Sequence, residues 1–164
     1  MAKVSTLMDT TAVDMDGLSS GILSLSSQFG ISASDMTEAA YNAVSSCTQL
    51  ATNADGLQQV LSSSATLAKA GFTDIDTAAS ATLKTMNAYG LGLESVDMIQ
   101  KVLIQTQNNG ITTVGELGSC LSNVTPTAAA MGVSFDQVGA ALATMTAQGT
   151  PAAQATTQLN SLFA

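Results

Sequence analysis

Apolar positions recur along almost the whole chain with the spacing of one helix face. Leu18, Ile22, Leu25 and Phe29 fall at i, i+4, i+7 and i+11, and Met36, Ala40, Val44, Cys47 and Ala51 continue in the same way. Further stripes run through Leu57, Val60, Leu61, Ser64, Leu67 and Ala68, through Ile75, Ala79, Thr82, Leu83, Met86 and Tyr89, and through Val96, Ile99, Leu103 and Thr106. The last three are Val114, Leu117, Leu121 and Val124, then Phe135, Val138, Leu142 and Met145, then Ala155, Leu159 and Leu162. One-sided stripes of this kind bury against a neighbouring helix. Strict apolar–polar alternation, the mark of a half-buried strand, is missing. The pattern predicts a single all-α domain over residues 1–164, with seven or eight short-to-medium helices packed as successive hairpins.

The boundaries between stripes share one chemistry. Gly30-Ile31, Gly71-Phe72, Gly90-Leu91, Gly110-Ile111 and Gly132-Val133 each place a glycine where a helix should stop. Glycine takes the left-handed C′ position without a Cβ clash, and the apolar residue after it is expected to fold back onto the helix it has left. Ser134-x-x-Gln137 and Thr113-x-x-Glu116 predict capping boxes at the following starts, with Asp35-x-x-Glu38 a looser version. Asp14 with Asp16, and Asp74 with Asp76, read as helix starts, where negative charge is favourable. Pro126 either stops a helix that opens at Thr112 or Thr113, or sits in the first turn of a short one capped by Thr125. Gly30, Gly71, Gly110 and Gly149 recur at intervals of about 40 residues, which suggests a repeat-like unit of one helix pair.

Composition narrows what such a bundle does. Four Lys, no Arg, no His and twelve carboxylates give a formal net charge of -8. That balance argues against binding nucleic acid, which needs Lys and Arg to neutralise phosphates. Only 10% of residues are charged, and mean hydropathy is +0.31. A freely solvated surface would carry more charge, so much of the chain is expected to face other protein or a confined space.

No membrane span is expected, because Gln, Asn, Ser, Thr, Gly and Pro interrupt both uncharged runs, residues 117–135 and 137–164. Gly139, Ala143 and Ala147, like Gly118 and Ser122, form four-residue rows of small side chains that let helix backbones approach closely. Close packing within the bundle is the first reading of these rows. Membrane insertion or helix oligomerisation is the second.

Catalytic chemistry is hard to assemble from these residues. Without His there is no Ser-His-Asp or Cys-His nucleophile. Cys47 and Cys120 lack metal-ligand spacing and are expected to be buried free thiols. Gly90-Leu91-Gly92 follows a helix instead of a strand, so it is a turn and not a phosphate loop. The eight methionines read as adaptable core filler. No catalytic, cofactor-binding or metal residue is assigned.

Several blocks in order carry a family resemblance. They include Lys3-Val4-Ser5-Thr6-Leu7, Leu67-Ala68-Lys69-Ala70-Gly71-Phe72-Thr73-Asp74, and Asn87-Ala88-Tyr89-Gly90-Leu91. Thr106-Gln107-Asn108-x-Gly110-x-Thr112-Thr113-Val114-x-Glu116-Leu117, Val124-x-Pro126, Gly132-Val133-Ser134 and Thr156-Thr157-x-Leu159 follow. In these the chain resembles the conserved core of phage tail tape measure proteins, also called minor tail proteins. It departs at Ile111, where that family usually has Lys.

The resemblance implies a non-enzymatic virion domain, a piece of a longer protein, made in the bacterial host cytoplasm and placed in the tail lumen. Its implied partners are tail tube and tail-tip proteins, tail assembly chaperones and further copies of itself. Two alternatives stand beside it: a membrane-active helical domain that contacts the host envelope during ejection, and an unrelated intracellular helical scaffold. The stretch Gln105–Pro126 is the most family-specific, and its residues predict a hinge between packed helices.

Overall fold

The computed structural model describes all residues from Met1 to Ala164, and every regular element is helical. The α-helices are α1 (Ala2–Ser5), α2 (Met15–Phe29), α3 (Ala33–Ser46), α4 (Ala54–Ala70), α5 (Ile75–Ala88), α6 (Val96–Asn109), α7 (Val114–Cys120), α8 (Thr125–Ala130), α9 (Phe135–Ala147) and α10 (Ala152–Phe163). Short 3₁₀ turns at Thr48–Thr52, Leu93–Ser95 and Leu121–Asn123 link some of them. The eight longer helices are those the apolar stripes predict. The brief α1 and α8 are too short to show a period.

Helix α5 is the axis of the bundle. It buries Ile75, Ala78, Ala79, Ala81, Thr82, Leu83, Thr85 and Met86, and α3, α4, α6, α7 and α8 all pack on it. Burial on so many sides requires small residues among the large ones, so that the neighbouring helices can come close. Alanine supplies them here and at Ala39, Ala40 and Ala43 of α3. Three buried threonines satisfy their hydroxyls on their own helix: Thr82, Thr106 and Thr146 donate to the carbonyls four residues back, Ala78, Val102 and Leu142, at 2.8–2.9 Å, whereas the Thr85 hydroxyl has no partner.

Gly118, Gly139 and Ala143 of the small-residue rows serve packing inside the chain, whereas Ser122 is exposed. A Cβ at Gly139 would lie 2.6 Å from Val102 Cγ1 and 2.8 Å from Thr106 Oγ1, and one at Gly118 would lie 3.3 Å from Ala81 Cβ. Gly139 therefore lies against Val102, while the end of α6 at Gly110 meets Ala143 and Thr146. Both helices advance in the same direction, so α6 and α9 form a parallel pair. Ala147, the last of its row, stays exposed.

Several starts differ from expectation. Helix α3 is capped by Ser32, whose Oγ accepts from the Asp35 N–H at 3.1 Å, so Asp35 lies inside the first turn and opens no box with Glu38. Helix α4 is capped by Asn53, which accepts from the Gly56 N–H at 2.8 Å. Of its two expected places Pro126 takes the second, in the first turn of a short helix. Helix α7 has already ended at Cys120, and the proline sits in the first turn of α8 behind Val124, with no side-chain cap from Thr125. On α10 the inward stripe is Ala152, Ala155, Thr156 and Leu159, while Leu162 is 75% exposed. No helix is long and apolar enough to cross a membrane.

Candidate functional site

Gln105–Pro126 is a joint at which four helices meet. The Gly110 N–H closes α6 on Thr106 O at 3.0 Å, but its φ of -115° and ψ of -175° are extended and not left-handed. Glycine is required there for room. A Cβ would collide with Thr146 Oγ1 and lie 3.0 Å from Ala143 Cα. Ile111 then points outward and is 72% exposed, so the expected fold-back does not occur.

Beyond it the predicted capping box of α7 is complete. The Glu116 N–H donates to Thr113 Oγ1 at 3.1 Å, and Glu116 Oε2 accepts from the Thr113 N–H at 3.2 Å and from Thr112 Oγ1 at 3.0 Å. At α9 the reverse arm is present, Gln137 Oε1 accepting from the Ser134 N–H at 3.1 Å.

One residue that pattern reading did not single out ties the joint together. Gln107 Oε1 accepts from the Val114 N–H at 2.9 Å, while its Nε2 donates to Ala70 O at 3.4 Å. A single amide thus satisfies an orphan donor at the start of α7 and an orphan acceptor at the end of α4. Only the three-dimensional meeting of those two ends reveals it.

That meeting also explains the α4–α5 loop. Gly71 is not left-handed (φ -94°); it is glycine because a Cβ would lie 2.6 Å from Val114 Cγ2. The left-handed position passes to Phe72, at φ 51°, which costs a non-glycine residue about 1–2 kcal/mol. Thr73 N–H closes the turn on Ala68 O at 3.0 Å. Phe72 is 91% exposed and, like Ile111, does not fold back. At Gly30, Gly90 and Gly132 the expectation holds, with φ of 63°, 63° and 72°. Ile31, Leu91 and Val133 each donate to the carbonyl five residues back and pack against the core.

The carboxylate pairs act at helix starts. Asp14 Oδ1 accepts from the Asp16 N–H at 3.1 Å. Asp74 accepts from the Thr77 N–H and hydroxyl, both at 2.7 Å, and Asp76 Oδ1 accepts from Asn42 Nδ2 at 2.8 Å. Burial pushes the Asp74 carboxyl up, but the Thr77 hydrogen bonds outweigh it and leave the pKa below its ordinary 3.8. Cys47 and Cys120 are free and buried. Burial pushes the Cys120 thiol up, and it donates to Glu116 O at 3.1 Å, which favours its protonated form.

Residues 19–164 match the family model described as phage-related minor tail protein. Over its full 164 residues the chain is 54% identical to a "Probable tape measure protein" of Clostridium phage phiCD119, and it spans 17% of that protein's length. No solved structure matches the chain. The chain therefore belongs to the phage-related minor tail protein family.

Proposed function

We propose that this chain is the core domain of a tail tape measure protein. In this reading it is a non-enzymatic structural part of the virion, made in the host cytoplasm, around which tail tube subunits polymerise and which is expelled ahead of the DNA. The observation that carries it is the end-to-end similarity to one segment of a "Probable tape measure protein". Its partners would be tail tube and tail-tip proteins and the tail assembly chaperones.

The physical character of the domain supports that role. A net charge of -8 without Arg lets the protein share a tube with DNA without gripping it. The longest helix, α4, has 17 residues and spans about 25 Å, so this folded-back piece is not the ruler. Length would be set by helical segments elsewhere in the longer protein.

In-frame deletion of this segment from its phage gene tests the proposal. It should abolish tail formation, whereas a deletion of equal size in a long helical segment should give viable, shorter tails by electron microscopy. Normal tails without the segment would refute it. Liposome flotation separates the membrane alternative. Gly118, Gly139 and Ala143 of the small-residue rows that motivated it are engaged inside the bundle, and the domain is expected to stay with the unfloated fraction.

A further inference from the structure

Phe72 is the one non-glycine residue at positive φ, and its ring is 91% exposed. It strains the turn and returns no packing to the fold, so its value lies outside the chain's own stability. Ile111, 72% exposed, lies in the neighbouring α6–α7 loop. The two loops are held together by the Gly71–Val114 approach and by Thr73, whose Oγ1 would lie 3.3 Å from a Cβ at Gly115.

On the other flank of Phe72 a cleft of about 530 Å³ is lined by Asp35, Glu38, Asp74 and Asp76, with Lys69 as its single cation. The Lys69 ammonium sits 5.4 Å from the centre of the Phe29 ring. Phe72 and Ile111 are thus two exposed apolar side chains on neighbouring loops, and the cleft beside Phe72 is acidic. Another copy of a chain with net charge -8, duplex DNA and an anionic bilayer are all repelled by this cleft.

We propose that this end of the bundle docks an amphipathic, Lys- or Arg-bearing helical segment of another protein. The segment sets aliphatic side chains on Phe72 and Ile111 and its cations along the Asp35–Glu38 wall. This goes beyond the tape measure reading and does not depend on it.

Isotope-labelled protein titrated with three designed helical peptides, Leu/Lys, Leu/Glu and Ser/Lys, tests it by amide chemical shift. The Leu/Lys peptide should bind and move amides at 30–38, 69–76 and 110–116. Phe72→Gly, which relieves the backbone and keeps the fold, should weaken it about tenfold, and Ile111→Ser by less. Asp35→Asn with Glu38→Gln should weaken it about threefold at low salt, a difference that fades as salt is raised. The proposal is overturned if Ser/Lys or Leu/Glu binds as tightly as Leu/Lys, if Phe72→Gly leaves affinity unchanged, or if the shifts fall on α9 and α10.

Discussion

At Gly30, Gly90 and Gly132 the chain leaves a helix in left-handed backbone, and the apolar residue that follows turns back onto the core. At Gly71 and Gly110 it does neither, and Phe72 and Ile111 face solvent. The first three glycines have open space where a Cβ would sit, so they are there for their φ. The other two have ordinary φ and no space. Helix ends that share one dipeptide pattern are thus made in two ways: closed joints by local backbone chemistry, and open joints by the arrival of a distant helix.

The largest expected difference follows from that contrast. Gly110→Val should cost about 3 kcal/mol through overpacking against α9, whereas Gly30→Ala should cost about 1 kcal/mol, the strain of one left-handed residue. Equal losses in thermal unfolding of the two variants would erase the distinction.

Gln107→Ala comes next. It should cost about 2 kcal/mol by stranding the Val114 N–H and the Ala70 carbonyl, and amide exchange should quicken at Val114 while Ile31 and Leu91 stay protected. Uniform quickening at all three would mean that the amide is not a local staple.

Phe72→Gly should stabilise the protein by about 1 kcal/mol, because the turn is freed of strain and no packing is lost. Leu91→Ser at a closed joint should destabilise it. A melting-temperature fall for Phe72→Gly would place the ring in packing that its exposure denies.

The smallest effect concerns pH. Asp74 has a native pKa lowered below 3.8, so its cap contributes fully above 3.8 and is lost as pH falls through the lowered native value. The protection factor of the Thr77 amide, its exchange measured against the intrinsic rate at each pH, should then fall in acid, and Asp74→Asn should flatten that profile. A wild-type profile that is already flat would remove the cap from the account.

Elements that depend on near neighbours were legible in the chain itself. The apolar stripes of α2 to α7 and α9, the Thr113–Glu116 box and the Asp74 start all rest on interactions within a turn or two. What escaped depends on distant approach. Gly71 and Gly110 look like their siblings until Val114 and Ala143 arrive, and Gln107 looks like any polar surface residue until the ends of α4 and α7 meet. Crowded cap formers obscure the true starts as well: Ser32 caps α3 three residues before Asp35, and Asn53, with no box partner to mark it, caps α4. The family blocks Leu67–Asp74 and Thr106–Leu117 prove to be the two loops of one open joint.

The parallel seating of α9 along α6 has a mechanical consequence. Consecutive antiparallel helices such as α4 and α5, tugged at their free ends, come apart turn by turn like a zipper. A parallel pair pulled from its outer ends is loaded in shear, so the whole row from Val102–Gly139 to Gly110–Thr146 resists together. Drawn out lengthwise, this domain should lose its hairpins first and the α6–α9 seam last.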